Sequence, residues 1–237
     1  MVGVPAVWKL ILKQIEERFE ELGLSEPVRL LREGGRRAHD ATGSHLLGRA
    51  AFLPVHRKFG GRLRYLISGG SAMPPELYEA FLGMGFEILE GYGLTEAAPV
   101  LTVQRPGQRR AGTVGKAVGG VEVRIHAPDR EGVGEIIAKG PNVMAGYWND
   151  PEATAEALRD GWLFTGDLGR FDEDGNLVIV GRRKDVIVDA AGKNIHPDEL
   201  EALYEKHPAI RELSIVGLPA EGGGERVACL VVPRNEG

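Results

Sequence analysis

The sequence predicts an α/β protein, and three observations carry that reading. Residues 63–68 form a short apolar strand pattern that runs into Ser68-Gly69-Gly70-Ser71 and then Pro74-Pro75-Glu76, so strand, glycine loop and helix start follow in series. Between Gly112 and Gly181 the period shifts to two, with Val121, Val123 and Ile125 alternating with Glu122 and Arg124. From Lys184 onward, strand and helix patterns alternate again.

Taken in order, Trp8, Ile11, Leu12, Ile15, Phe19 and Leu22 recur at helical spacing with Lys13, Glu16, Glu17 and Glu20 between them, which predicts a core-facing N-terminal helix. Residues 23–61 mix glycine, arginine and short apolar patches and give only a helix over 46–52. After the 63–68 strand, proline in the first turn starts a helix, since that position needs no amide donor. Residues 86–89 read as a second buried strand, and Glu90-Gly91-Tyr92-Gly93-Leu94-Thr95-Glu96 as a loop at its carboxyl end, where ligands bind in open α/β sheets. In the β-rich section one helix is expected, with Asp150 as N-cap, Pro151 at its first position and Gly161 past its end. Residues 177–180 give a further strand. Beyond Lys184 the pattern predicts a strand over 185–189, a helix over 197–205, strands over 212–216 and 226–232, and a turn over 221–225.

The 237 residues are 43% hydrophobic and 27% charged, a composition that disfavours disorder and a coiled coil. A net charge of −5 gives no global positive field for nucleic acid or an anionic membrane surface, which points to small-molecule partners. The single cysteine, Cys229, excludes a disulfide within the chain and a thiolate metal cluster. No apolar run reaches the ~18 residues of a membrane span and the N-terminus has no signal-peptide pattern, so a cytoplasmic protein is expected, with peripheral membrane contact left open.

Several catalytic signatures are missing: the Gly-x-x-x-x-Gly-Lys-Ser/Thr loop, the Gly-x-Ser-x-Gly turn and the His-Glu-x-x-His helix. The six histidines are scattered and read as surface or capping residues. Gly91-Tyr92-Gly93 begins like a dinucleotide fingerprint, but Glu96 stands where its third glycine belongs. Four glycine-bearing loops remain. Ser68-Gly69-Gly70-Ser71 lets backbone approach a flat ligand. The second offers the aromatic face of Tyr92, the hydroxyl of Thr95 and the hard carboxylate of Glu96, suited to magnesium. In the third, residues 162–169, Asp167 can accept from both hydroxyls of a ribose. The fourth, residues 181–185, supplies cations, although Arg183 and Asp185 read as structural, as do Lys116, Lys139 and His196.

Taken together, the segments SGGSAMPPEL (68–77), EGYGLTEAAPV (90–100), GTVGKAVGGVEVRI (112–125), GEIIAKGPNVMAGYWNDPEAT (134–154), GWLFTGDLG (161–169) and GRRKDVIVDAAGKNIHPDELE (181–201) resemble the adenylate-forming, AMP-binding superfamily. Within it the resemblance is closest to bacterial long-chain fatty-acid:CoA ligases. It implies part of a large adenylate-forming domain, an α/β portion over 1–111 and a β-rich portion over 112–183, followed by the start of a small α+β C-terminal domain over 184–237. It also implies a two-step reaction in which ATP activates a fatty acid as an acyl-adenylate, with magnesium, and coenzyme A then displaces AMP.

Carried over by position, the resemblance implies that Gly69, Gly70 and Tyr92 border adenine, with Glu90 and Gly91 in the same nucleotide-contacting segment. Thr95 would bond the phosphate, Glu96 would help hold magnesium, and Asp167 would bind the ribose with Arg182 assisting. Lys184 matches the family's hinge, and Gly192 and Lys193 lie on the loop that turns inward for thioester formation. No segment before residue 63 matches the family's Ser/Thr/Gly-rich phosphate loop, and no late C-terminal lysine follows, so a longer enzyme is expected, with this stretch inactive alone. Two alternatives stand beside this expectation: a ligase for another acid or for an acyl carrier protein, and a non-catalytic nucleotide-binding module.

Overall fold

The computed structural model describes residues 1–204, 207–220 and 223–234, and the chain divides into two compact units. The first holds residues 1–121 with 141–144, and the second holds 122–140 with 145–237. Both mix helices and sheets, as the sequence predicts. Among the described residues no helix is long and apolar enough to cross a membrane.

The first unit contains β1 (Val2–Gly3), α1 (Pro5–Glu21), α2 (Ser25–Thr42), α3 (Leu46–Ala51), α4 (Leu53–Lys58), β2 (Tyr65–Ser68), α5 (Pro75–Gly83), β3 (Glu87–Gly93), β4 (Val100–Val103) and β5 (Lys116–Ala117). Its five strands stand in sequence order. β1, β2 and β3 pair in parallel, then β4 and β5 return antiparallel. Trp8, Phe52, Leu66, Phe81, Met84, Phe86 and Ile88 fill the core, with Trp8 edge-on to Phe81. The α1 stripe packs there through Trp8, Ile11, Leu12, Ile15 and Phe19, whereas Leu22, just past the helix end, is 54% exposed.

Helix α2 is the main element the sequence left unassigned. Gly34-Gly35 argues against a helix by propensity, yet a Cβ on Gly35 would stand 2.2 Å from the Gly83 carbonyl oxygen, so the glycine lets α2 cross the end of α5 at backbone contact. Arg29–Glu26, Arg36–Asp40 and Arg37–Glu33 ion pairs line its exposed side. His56 departs from the surface or capping role expected of the histidines. It is buried, its ring stacks on Phe86 and its Nε2 lies 2.9 Å from the Met84 carbonyl oxygen, which removes it from solvent altogether.

The second unit contains β6 (Glu122–His126), β7 (Gly134–Lys139), α6 (Pro151–Ala157), β8 (Leu158–Arg159), β9 (Trp162–Phe171), β10 (Leu177–Arg182), β11 (Ile187–Val188), β12 (Asn194–Ile195), α7 (Pro197–Tyr204), β13 (Ile210–Pro219) and β14 (Glu225–Pro233). An antiparallel sheet runs β10-β9-β7-β6 with β8 on β9, while β11-β12 and β13-β14 form two further pairs. Ile136, Ala138, Leu163 and Leu177 are buried. Asp150 caps α6 as expected, accepting from the Ala153 N–H at 2.9 Å, with Pro151 at the first position.

Several boundaries differ from the sequence reading. The strand before the first glycine loop starts at Tyr65 rather than residue 63, and the helix expected over 46–52 ends at Ala51. Gly161 does not end α6, which leaves the helix at an extended Leu158. It turns the β8–β9 hairpin instead, with positive φ at both Asp160 and Gly161. The strand expected over 185–189 shrinks to β11, because residues 183–185 form a single 3-10 turn. Strands β10, β13 and β14 are longer than their sequence signals, since cross-strand pairing continues past the apolar run. Helix α7 is described to Tyr204, and Glu205 together with Glu221 and Gly222 of the expected turn lie outside the described residues.

Candidate functional site

In the first unit, the segment expected to be a loop after residue 89 is strand. β3 continues through Gly93, because Gly91, Tyr92 and Gly93 pair with Val103, Thr102 and Val100 of β4. Only then does the chain turn, through a 3-10 turn at Thr95–Ala97. The turn is so tight that a Cβ on Gly93 would fall 1.7 Å from the Pro99 carbonyl oxygen. Asn142 laces it from outside, its Nδ2 donating to the Ala97 and Val100 carbonyl oxygens at 2.8 and 2.9 Å, and the Met144 N–H donates to the Glu96 carbonyl oxygen at 2.8 Å. Tyr92 and Glu96 are half-buried and Thr95 is exposed.

The Gly69-Gly70 loop leaves β2 beside this strand. A Cβ on Gly69 would meet the Gly91 carbonyl oxygen at 3.2 Å, and the Gly69 N–H donates to the Gly3 carbonyl oxygen at 3.2 Å. Gly69, Gly70, Glu90, Gly91 and Tyr92 are therefore gathered at the carboxyl ends of two parallel strands. Glu90 is buried. Its side chain accepts a hydrogen bond from the Met73 backbone N–H, and its Oε1 lies 3.5 Å from Arg109 Nη2. Burial pushes its carboxyl above the usual range, against the opposing pull of the Arg109 charge.

In the second unit, the segment expected as a loop over 162–169 is strand β9, interrupted by a bulge. Glu135 pairs with Leu168 and Ile137 with Phe164, so Thr165, Gly166 and Asp167 stand opposite Ile136 alone. Gly166 takes φ +73° at the bulge, a conformation glycine adopts without steric cost. Buried Glu135 holds the bulge from both sides: Oε1 accepts from the Gly166 N–H at 3.0 Å, and Oε2 pairs with Arg183 Nη1 at 2.9 Å. Thr165 Oγ1 donates to the Ile136 carbonyl oxygen and accepts from the Asp167 N–H.

Asp167 pairs with Arg182 across β9–β10, with Arg182 Nε 3.0 Å from Asp167 Oδ1. The carboxylate is 9% exposed and the guanidinium side 57%, so a well-placed acceptor is fixed beside a cation that reaches into solvent. Lys184 is exposed in the 3-10 turn directly after β10. Gly192 and Lys193 are exposed in the β11–β12 turn, where Asp189 Oδ1 accepts from the Ala191 and Lys193 N–H groups at 2.8 Å each. Among the described residues no three His, Cys, Asp or Glu side chains form a metal-binding group.

Residues 1–148 match the family of AMP-binding enzymes. The chain belongs to that family. It is 44% identical over 179 residues to a long-chain-fatty-acid–CoA ligase of Bacillus subtilis strain 168, covering 72% of this chain and 32% of that protein. It is 41% identical over 180 residues to a feruloyl-CoA synthase of an Amycolatopsis species, covering 73% and 36%. The solved structure of an O-succinylbenzoate coenzyme A synthetase from Bacillus subtilis, in complex with ATP and magnesium ion, superposes with a TM-score of 0.65 at 33% identity over 72% of this chain and 36% of that one. The chain thus spans about a third of the length of the curated relatives it matches. Besides the residues its motifs pointed to, four that sequence reasoning passed over hold these segments in place: Gln104, Arg109, Glu135 and Asn142. Glu135 and Asn142 lie within the matching segment 134–154, but only the folded structure gives them partners across the sheet and the turn.

Proposed function

We propose that this chain supplies the adenosine-side surfaces of an ATP-dependent acid–CoA ligase. The observation that carries the reading is the Asp167 carboxylate, buried on a clamped bulge with Arg182 beside it. A carboxylate held this way accepts from the 2′ and 3′ hydroxyls of a ribose without reorganising, and Arg182 sets its orientation. In the first unit, Gly69, Gly70 and Gly91 lack the side chains that would keep a flat base from the backbone, and Tyr92 offers it a ring face. Glu90 shapes that same place. Thr95 donates to a phosphate oxygen.

Glu96 suits magnesium by donor chemistry, since that ion is held by one or two carboxylates plus substrate phosphates and keeps several waters. Bound there, magnesium would supply charge neutralisation at the phosphates. The reaction in this reading has two steps. A carboxylate oxygen of the acid bonds to the α-phosphorus of ATP as the bond to pyrophosphate breaks, and the sulfur of coenzyme A then bonds to the acyl carbon as AMP leaves and the thiol proton is lost. Residues 184–237 serve as a mobile part pivoting at Lys184, apart from the portions over 1–111 and 112–183, and Gly192 and Lys193 face coenzyme A in the second step.

The acid in this reading is a long-chain fatty acid, supported by the 44% identical relative; the feruloyl relative makes an aromatic acid the competing outcome. Pyrophosphate release and thioester formation with ATP, magnesium, coenzyme A and an acid panel, in the protein as its gene encodes it, tests the reading. Preference for palmitate-like acids over ferulate supports it, and ferulate preference or absence of acid-dependent pyrophosphate release contradicts it.

A further inference from the structure

Glu90 faces Ser68 across the parallel β2–β3 pair, and Gln104 closes its backbone: the Glu90 N–H donates to Gln104 Oε1 at 3.0 Å and the Gln104 N–H donates to the Glu90 carbonyl oxygen at 2.8 Å. The Glu90 side chain makes two connections. It accepts from the N–H of Met73, at the far end of the Gly69-Gly70 loop, and it pairs with Arg109 at 3.5 Å. Arg109 lies in the β4–β5 connection with its guanidinium carbon 3.0 Å from the centroid of the Tyr78 ring on α5. Its own segment is anchored by buried Gln104, whose Nε2 donates to the Arg110 and Thr113 carbonyl oxygens at 2.9 and 2.7 Å. The cation is thus fixed by a ring on one element and a pinned loop on another.

A buried carboxylate without a partner takes up a proton or draws in water, and either change weakens its hold on a backbone amide. We infer that Arg109 is a positioning residue for adenosine binding: its pairing with Glu90 keeps that carboxylate aimed at the Met73 N–H, which fixes the Gly69-Gly70 loop against β3. The inference rests on the adenosine-side reading above and adds a residue outside the segments that carried it. The other titratable groups nearby are Tyr78 on α5 and Glu87 on β3, the latter 3.8 Å from His45 Nε2.

The experiment titrates adenosine, which has no ionisable phosphate, into the chain and its variants at about pH 6 and about pH 8, and follows amide hydrogen exchange at Met73. Unmodified chain is expected to bind with a dissociation constant that changes less than about twofold between the two. Arg109→Gln is expected to weaken binding about tenfold and to weaken it further at the lower pH, because loss of the cation shifts Glu90 toward its protonated form. Arg109→Lys recovers most of the affinity, and the Glu90→Gln variant shows no pH dependence. Met73 exchange rises about tenfold in Arg109→Gln while Ile88 in β3 stays protected. Unchanged affinity and pH profile in Arg109→Gln, or equal loss of protection across β2 and β3, overturns the inference. Failure of the unmodified chain to bind adenosine overturns the adenosine-side reading instead, and the Met73 readout still decides whether Arg109 holds the loop.

Discussion

Arg182 Nε lies 3.0 Å from Asp167 Oδ1 across paired strands, and the two residues are buried to very different degrees: 57% of the arginine side chain is exposed against 9% of the aspartate. The exposed partner is screened by water, so the pair adds little to stability and its value lies in orienting the carboxylate. Arg182→Gln should therefore change unfolding free energy by less than about 1 kcal/mol in a denaturant titration. The same variant should weaken AMP binding several-fold, which calorimetry reads directly.

Glu135 supports Asp167 without being part of the proposed contact surface. Glu135→Ala leaves the Gly166 N–H without its acceptor and Arg183 without its partner, at a cost of about 1 to 3 kcal/mol. Glu135→Gln keeps an acceptor oxygen and should cost less than about 1 kcal/mol. Affinity for AMP should follow the same order, because the bulge that aims Asp167 relaxes only in the alanine variant. Equal effects of the two substitutions would place the clamp in the charge rather than in the amide contact.

Two glycines should respond differently to alanine. At Gly93 the new methyl meets a backbone oxygen at 1.7 Å, which no side-chain movement relieves, so Gly93→Ala should exceed the usual overpacking cost of about 1 to 3 kcal/mol and disrupt the turn after β3. At Gly166 the new methyl meets no atom within 4 Å beyond its chain neighbours, and the cost comes only from φ +73°, about 1 to 2 kcal/mol. Thermal unfolding of the two variants separates a steric from a conformational requirement.

Glu90 makes stability pH-dependent in a direction opposite to that of most carboxylates. Its folded pKa is raised above the ordinary 4.5 by burial, so the folded state binds its proton more tightly than the unfolded state does. Its contribution is fully present below that ordinary value and is lost as pH rises through the raised one. Against Glu90→Gln, which does not titrate, the unmodified chain should lose relative stability across that window. Urea titrations of both proteins at successive pH values measure the difference, and a flat difference contradicts the assignment.

The legible parts of the fold are those where one local signal suffices. Trp8 to Phe19 marks α1 by spacing, Pro75 marks the start of α5, and Asp150 with Pro151 marks α6. Helix α2 was not legible because Gly35 serves the backbone crossing with Gly83, a contact between residues far apart in sequence. Residues 90–93 and 162–169 read as loops because glycines interrupt them. In both places the glycines sit within strands, where they admit a tight turn or a bulge against a neighbour that sequence spacing does not reveal. Asp167 was legible as a polar residue on a glycine-bearing segment, while its support from Glu135, 32 residues earlier, was not, because that contact forms only across the paired strands.

Calorimetric titration of AMP into the unmodified chain and into Asp167→Asn reads whether an adenosine-side surface is built on Asp167. The asparagine keeps the size of the side chain but removes the charged acceptor, and hydrogen bonds to a charged group contribute about 1.5 to 3 kcal/mol. Saturable one-to-one binding by the unmodified chain is expected, weakened at least about tenfold in a folded Asp167→Asn variant. Equal affinity of the two proteins, or no binding by the unmodified chain, would contradict that expectation.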